Sequence, residues 1–186
     1  MRTFDKSYLD IAEVWSKNSR ARRAKVGAII VKDNMIISDG FNGTPSGFEN
    51  DCEEVVACSL HENMKGGYTC VQECSVLDYS PENLSGITKR LVRYHFPDDC
   101  IDCPHAVLKT KDYVLHAEAN AITKLAKSGN SSDGATLYVT MSPCVECAKL
   151  IIQAGIKRVV YREKYRITDG IDLLERANIK VEQIND

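Results

Sequence analysis

Residues 116–161 read HAEANAITKLAKSGNSSDGATLYVTMSPCVECAKLIIQAGIKRVVY, and this stretch decides the fold. Apolar residues at helical spacing predict a helix that begins near His116 and ends at Gly129. Thr136–Thr140 then reads as a short strand, and a second helix is followed by another strand over Arg158–Tyr161. Helices that alternate with strands in this way predict a partly parallel sheet.

The flanking sequence adds elements on both sides of this stretch. A first amphipathic helix is predicted from about Asp5 to Asn18. A tight antiparallel hairpin is predicted from two strands, Val26–Val31 and Met35–Ile37. A final helix is predicted over Gly170–Ala177 and a last strand over Ile179–Val181. The hairpin makes the sheet mixed. We therefore predict an α/β fold, a single three-layer α/β/α domain over residues 1–186 with a mixed, roughly five-stranded sheet.

An irregular, Cys/His-rich insertion is predicted at about residues 50–113. Six of the eight cysteines and three of the four histidines lie there, and no period of 3.6 or 2 is sustained. Such a long irregular stretch would lose much conformational entropy on ordering, which favours a structural metal as a staple; partly buried free thiols are the alternative.

Charge and composition exclude several classes of protein. The chain has 24 Lys plus Arg against 26 Asp plus Glu, a net charge of -2 that argues against a nucleic-acid polymer as partner. The longest uncharged run, 134–145, has 12 residues, too few to span a membrane. The charged N-terminal region leaves no room for a signal-peptide core. We expect a soluble, cytoplasmic protein with reduced thiols, in the host cell if the chain is virus-encoded.

The strongest chemical signal is His116-Ala117-Glu118, followed by Pro143-Cys144-Val145-Glu146-Cys147. Both segments fall at predicted helix starts, the second with Ser142 as N-cap and Pro143 at the first helical position. Two cysteines at i and i+3 present their sulfurs on one side. One imidazole and two thiolates, His116, Cys144 and Cys147, would leave one tetrahedral position of Zn²⁺ open, as in catalytic sites.

Glu118 is placed to take a proton from a water in that open position and to pass it on. Taken separately, a Cys-x-x-Cys is also typical of a zinc knuckle or a redox dithiol, and a His-x-Glu of an ordinary helix start. Together, in this order, they match the signature of zinc nucleobase deaminases.

Beyond these motifs the sequence resembles the cytidine deaminase superfamily, and within it the deoxycytidylate (dCMP) deaminases, including phage-type members. The resemblance covers most of residues 5–50 and 114–184 and fades in the insertion. Its matching segments are Lys25–Ile30, Gly40–Pro45, His116–Ile122, Ser142–Lys149 and Gln153–Lys157.

The resemblance implies hydrolysis of dCMP to dUMP and ammonia, which supplies thymidylate synthesis. It implies zinc on His116, Cys144 and Cys147, with Glu118 as the catalytic proton shuttle. It also implies that the substrate is bound by Asn42, Thr44, Ala117, Lys127, Ser142 and Tyr165. Within this set, Asn42 is expected near the deoxyribose, and Lys127 and Tyr165 near the phosphate. Read alone, Asn42-Gly43 is an ordinary turn and Lys127 a cation at a helix end.

Regulation is a further implication of the family. Its members are commonly homo-oligomers, dimers or hexamers, activated by dCTP and inhibited by dTTP, with Mg²⁺ accompanying a triphosphate. The residues assigned here to that nucleotide are Arg22, Arg23, Lys25, Gly40, Phe41, Asn42 and Gly43. A solvated end of the first helix is the alternative for the basic cluster, which also includes Arg20.

The sequence departs from many relatives at the expected second, structural zinc. Those relatives carry a cysteine ligand shortly before the Lys-Val-Gly segment, where this chain has residues 21–24 without cysteine. The insertion offers replacement ligands for a second Zn²⁺, since Cys100, Cys103 and His105 lie within six residues of one another. Any of Cys52, Cys58, Cys70 and Cys74 is able to complete the set, and we select Cys52 as the fourth ligand.

Two alternative functions remain at the level of sequence. In the first alternative, the chain deaminates another free nucleotide or base, such as dCTP, cytidine or guanine, because the superfamily shares the zinc site. In the second alternative, the chain is a non-catalytic zinc-binding or nucleotide-sensing protein. The intact Glu118 argues against this alternative, because a structural zinc needs no proton shuttle.

Overall fold

The computed structural model describes residues 3–58 and 106–185. In chain order, the described elements are α1 (Thr3–Ser16), β1 (Gly27–Lys32), β2 (Met35–Phe41), β3 (Glu53–Cys58), β4 (Ala106–Thr110), α2 (Ala117–Leu125), β5 (Thr136–Met141), α3 (Val145–Gln153), β6 (Arg158–Glu163), α4 (Asp169–Arg176) and β7 (Lys180–Gln183). The chain divides into two compact units, residues 1–52 with 112–186 and residues 53–111.

The larger unit contains a mixed five-stranded sheet in the order β2-β1-β5-β6-β7. Strand β1 runs antiparallel to β2 and β5, whereas β5, β6 and β7 are parallel. The hairpin turn has positive φ at Asp33 (51°) and Asn34 (61°), which is the type I′ geometry that suits a tight hairpin. The predicted mixed sheet and hairpin are therefore confirmed.

Helices cover both faces of this sheet because its central strands are apolar on both sides. On one face Ile30, Leu137 and Val159 pack in a core with residues of α2, α3 and α4. On the other face Ile29, Tyr138 and Val160 pack with Leu9 and Ala12 of α1. Each fully buried aliphatic side chain contributes roughly 1.5–3 kcal/mol, so the two cores fix α1 against α2–α4 across the sheet. The three-layer prediction is confirmed.

Glycine lets α2 lie directly on strand β2. A Cβ on Gly40 would stand 2.2 Å from the carbonyl oxygen of Ala117 and 2.6 Å from the nitrogen of Ala121, both backbone atoms of α2. The sequence predicts that β2 ends at Ile37, but the strand continues to Phe41, where Gly40 pairs with Ala28 and Phe41 with Gly27 of β1. The polar residues that follow Ile37 resemble a turn in sequence, but their backbone pairs with β1.

Two other predictions need correction. The predicted start of the helix after β5, with Ser142 as N-cap, is wrong. The N-cap of α3 is Cys144, with extended φ and ψ of -76° and 172°. Ser142 instead accepts a hydrogen bond from the backbone N–H of Tyr165. The insertion is not irregular at its ends, because β3 and β4 form an antiparallel ladder whose register shift between Val55 and Ala57 interrupts any alternation.

None of the described helices combines the length and apolar character that crossing a bilayer requires.

A buried ion pair ties α1 to the sheet. Asp5, only 4% exposed at its side chain, accepts two hydrogen bonds from the Arg158 guanidinium, both at 2.8 Å, and one from the Tyr138 hydroxyl at 2.6 Å. Arg158 also binds Glu182 of β7. Burial, with the Asp5 carboxylate beside it, raises the pKa of Tyr138, so its hydroxyl stays protonated and donates.

A matching contact lies at the sheet edge formed by β2. Asp39 Oδ2 accepts hydrogen bonds from the Trp15 indole of α1 and from Lys124 Nζ of α2, both at 2.6 Å. One carboxylate oxygen therefore links the two helical layers around the edge strand.

Replacing Asp5 by alanine should destabilise the protein by about 1.5–3 kcal/mol, because charge-assisted hydrogen bonds to Arg158 are lost inside the fold while Glu182 still pairs with the guanidinium. Urea unfolding followed by circular dichroism measures the change. The matched control is Asp10→Ala on the same helix, where the half-exposed carboxylate should contribute less than about 1 kcal/mol and Arg162 keeps Glu13 as a partner. Equal shifts in the two variants would contradict the role given to Asp5.

Candidate metal and catalytic centre

His116 stands where an extended segment becomes helix α2. Just before it, Leu115 and Gly43 exchange two backbone hydrogen bonds, of 3.1 and 2.9 Å. His116 itself is the N-cap of α2, and its carbonyl accepts from the N–H of Asn120 at 2.9 Å. The backbone on both sides is therefore fixed, which fixes the position of the imidazole.

The two cysteines stand in the same way at the start of α3. Cys144 is the N-cap and Cys147 lies in the first turn, where the carbonyl of Cys144 accepts from Ala148 at 2.9 Å. Their sulfurs share one side of the turn, as the i, i+3 spacing predicts. The partial positive charge of a helix N-terminus favours thiolates there.

The two helix starts meet in one cluster. His116 Nδ1 lies 3.4 Å from the sulfur of Cys144 and 3.4 Å from that of Cys147. Zinc–nitrogen and zinc–sulfur bonds of about 2.0 and 2.3 Å at a tetrahedral angle would separate N and S by roughly 3.6 Å. The donor set and its spacing therefore fit Zn²⁺. Among the described residues this is the group of side chains found close enough to share a metal ion.

One donor of the cluster, Cys144, is already held in its metal-binding thiolate form, whereas Cys147 and His116 hold their protons more tightly and release them when a metal binds. The hydrogen bond from the Cys147 thiol, together with that of His116, lowers the pKa of Cys144 to about 3 even though burial opposes this. The bond to Cys144 and burial raise the pKa of Cys147, and the bond to Cys144 raises that of His116. A thiolate is the form of cysteine that binds metals.

Glu118 lies beside the cluster in the first turn of α2 and is only 4% exposed. Burial raises the pKa of its carboxyl above the usual range, although its backbone hydrogen bond and the charge of His116 act in the opposite direction. A carboxyl whose pKa is raised toward neutrality is suited to accept a proton and release it again. His116 is exposed while Cys147 is buried, so the cluster is accessible from the histidine side.

The predicted substrate residues fall into separate places. Ala117 is buried between His116 and Glu118, and Ser142 and Tyr165 contact each other through the 2.8 Å hydrogen bond between them. Lys127 is exposed beyond the C-terminal end of α2, eleven residues after His116, which corresponds to roughly 16 Å along the helix axis at 1.5 Å per residue. The structure therefore does not bring Lys127 to the cluster.

Asn42 follows β2 and uses its side chain on the protein itself. Its Oδ1 accepts from the N–H of Val26 at 2.8 Å, and its Nδ2 donates to the carbonyl of Ala24 at 2.9 Å. An amide has one further hydrogen and one further lone pair, so these bonds leave Asn42 capacity for a ligand. The hydroxyl of Thr44, nearby in the chain, donates to the carbonyl of Glu49.

Three of the seven predicted effector residues, the basic ones, border one cleft. Arg22, Arg23 and Lys25 line a volume of about 910 Å³ with Lys17, Arg20 and one acidic residue, Asp51. Asn42 binds the backbone on either side of Lys25, so the structure joins it to this basic segment. Gly40, Phe41 and Gly43 are placed differently, in β2 and in the pairing with Leu115.

No sequence motif indicated two residues that hold these loops. The buried Ser19 donates its hydroxyl to the carbonyl of Asn42 at 2.7 Å, and Asn50 Oδ1 accepts from the N–H of Thr44 at 3.3 Å. Both are ordinary polar residues outside any motif. Of the predicted second-metal ligands, Cys52 is buried with its sulfur 3.9 Å from Asn50 Oδ1, and Cys100, Cys103 and His105 lie outside the described residues.

The mixed five-stranded sheet between two helical layers defines a class, the cytidine deaminase-like fold. The chain resembles the crystal structure of a dCMP deaminase from the cyanophage S-TIM5 in complex with dCMP and dUMP, with a TM-score of 0.67. The two are 36% identical, and the match covers 99% of this chain and 98% of the other.

The comparisons of sequence agree with that fold. The family model for the cytidine and deoxycytidylate deaminase zinc-binding region matches residues 2–163. The deoxycytidylate deaminase of Enterobacteria phage T4 is 39% identical over 178 residues, covering 93% of this chain and 86% of that protein. The deoxycytidylate deaminase of Mycobacterium phage D29 is 34% identical over 158 residues, covering 85% and 93%. The chain belongs to the cytidine and deoxycytidylate deaminase family and is a hydrolytic deaminase.

Proposed function

We propose that this enzyme hydrolyses dCMP to dUMP and ammonia, and so supplies dUMP for thymidylate synthesis. The observation that carries the proposal is the buried Glu118 beside the cluster of His116, Cys144 and Cys147. The choice of dCMP is supported by the names of the phage relatives and by the nucleotides bound in the cyanophage structure.

The three ligands would be His116 Nδ1, Cys144 Sγ and Cys147 Sγ. Zn²⁺ held there would supply a Lewis acid that makes a water molecule acidic enough to attack near neutral pH. The three ligands stand at helix starts, which fix their positions. The attacking water and the cytosine ring would therefore be brought together without rearrangement of the backbone.

Glu118 moves the protons of the reaction. Its carboxylate removes a proton from the attacking water and delivers one to N3 of the cytosine, while the water oxygen bonds to C4. It then takes the remaining hydroxyl proton and passes it to the exocyclic amine. The C4–N4 bond breaks, ammonia leaves, and the C4 carbonyl of dUMP remains. Burial suits Glu118 to this exchange because a raised pKa makes it a better base and leaves its acid form available.

The nucleotide is proposed to be bound by Asn42, Thr44, Ala117, Ser142 and Tyr165. The spare hydrogen-bonding capacity of Asn42 is directed to the deoxyribose. Lys127 is proposed for the phosphate, at the far end of α2 from His116.

Regulation is proposed at the basic cleft. Its five basic side chains face one acidic residue, a balance suited to a triphosphate with Mg²⁺. dCTP would activate and dTTP would inhibit, in a homo-oligomer of two or six chains working in the cytoplasm. A second, structural Zn²⁺ on Cys52, Cys100, Cys103 and His105 is part of the same proposal.

Purified protein incubated with dCMP should show the loss of ultraviolet absorbance that accompanies formation of dUMP. The assay is repeated with dCTP and Mg²⁺, with dTTP, and with cytidine, dCTP, guanine and an oligonucleotide as substrates. Absence of dUMP under every effector condition would overturn the proposed substrate. Faster turnover of another compound in the panel would assign that compound instead.

A further inference from the structure

One segment of the larger unit follows the backbone that carries Cys144. The N–H of Ser142 donates to the carbonyl of Glu163 at 2.8 Å, and the Ser142 hydroxyl accepts from the N–H of Tyr165 at 2.8 Å. A few residues later, Gly170 in the first turn of α4 packs against the backbone of Pro143 and Cys144. Residues 163–170 therefore contact residues 142–144 at three successive points.

The contact at Gly170 requires the absence of a side chain. A Cβ there would stand 2.1 Å from the carbonyl oxygen of Pro143, and 2.7 and 2.9 Å from the carbonyl carbon and oxygen of Cys144. These are backbone atoms that cannot rotate away as the end of a flexible side chain can. Gly170 is buried in a helix and does not have positive φ, so space, and not backbone conformation, explains the glycine.

We infer that Gly170 is a positioning residue for the metal cluster, acting through the backbone of Cys144. For a Cβ at position 170 to reach ordinary van der Waals distance, the Pro143 carbonyl would have to move by more than about 1 Å. Ligand groups must be held within about 0.5 Å of their productive geometry, so this shift is too large. Cys144 is the N-cap of α3, so such a shift would move its sulfur away from its 3.4 Å separation from His116 Nδ1. The inference rests on the proposed function in that the cluster binds zinc.

The hydrogen bonds of Ser142 act in the same direction. Its hydroxyl holds the loop between β6 and α4 against the residue two positions before Cys144. Removing that hydroxyl should loosen the same backbone without adding any atom, and threonine should restore the bond. Ser142→Ala and Ser142→Thr therefore test the segment independently of steric overlap.

The test measures metal binding directly. Gly170→Ala is compared with the wild type and with Gly129→Ala, a matched control because a Cβ on Gly129 meets nothing within 4 Å and its φ is not positive. Zinc release to a chelator and the thiolate-to-cobalt absorption of the Co²⁺-substituted proteins are recorded. We expect Gly170→Ala to weaken zinc binding about 10–100-fold and to alter the cobalt spectrum, with Gly129→Ala unchanged.

A folded Gly170→Ala protein with wild-type zinc release and cobalt spectrum would overturn the inference. If that variant does not fold by circular dichroism, Ser142→Ala decides. Faster zinc release that Ser142→Thr reverses supports the inference, and wild-type release overturns it. Neither readout requires turnover of dCMP: a wild-type protein that binds zinc but makes no dUMP would refute the proposed substrate and leave the role of Gly170 open to the same measurement.

Discussion

Glu118→Gln should lower kcat for dCMP by about 10²–10⁴-fold, the range that a positioned acid–base group contributes. Glutamine keeps the size of the side chain but can neither remove a proton from water nor deliver one to N3 or to the leaving amine. Because Glu118 is buried, solvent cannot easily replace it as a proton carrier. The loss should therefore fall on kcat and not on zinc content.

The matched control is Glu146→Gln, which changes an exposed glutamate between the two cysteine ligands. Glu146 pairs with Lys149 on the surface of α3, so its substitution should leave kcat within about twofold of the wild type. Steady-state kinetics and metal analysis on both variants check the prediction. Loss of zinc from Glu118→Gln would show that the carboxylate holds the cluster together, which contradicts a role limited to proton transfer.

Cys147→Ser should remove zinc from the cluster and abolish turnover. A serine hydroxyl remains protonated near neutral pH and is a poor zinc ligand, so one of three protein donors is lost. Dividing roughly 10–16 kcal/mol for a four-ligand site among its ligands gives about 2.5–4 kcal/mol each, or about 10²–10³ in zinc affinity. After dialysis against a chelator, zinc measured by mass spectrometry should be nearly absent from the variant.

Cys52→Ser is the comparison for that experiment, because Cys52 is likewise buried but lies outside the cluster. It should retain the zinc bound by His116, Cys144 and Cys147. A fall from two zinc ions per chain to one would support the proposed second site. Zinc retained by Cys147→Ser at the wild-type level would contradict the assigned ligand set.

Much of this fold follows from periodicity. The helix and strand order of the larger unit was predictable because its core strands, such as β1 and β5, are short apolar runs separated by turn residues. The cluster was predictable because the i, i+3 cysteines and the His-x-Glu both stand at helix starts. These features depend on local sequence alone.

The rest depends on partners distant in the chain. Ser142 is a good N-cap in isolation, yet its hydroxyl binds Tyr165, and the next turn starts from Cys144. Gly40 resembles a loop residue until α2 is seen lying on it. The amide of Asn42 binds residues 24 and 26, a contact that nothing in the Asn-Gly pair indicates. Sequence patterns report periodicity and propensity, and these three contacts are decided by tertiary packing.

The hydrogen bond between Trp15 and Asp39 has a spectroscopic consequence. The chain contains one tryptophan, so its intrinsic indole fluorescence comes from a single place. That place is the edge where Asp39 also binds Lys124, joining α1 to β2 and α2. A change in emission wavelength therefore reports solvent reaching this junction, and it can be compared with circular dichroism to ask whether α1 separates from the sheet before the rest of the fold is lost.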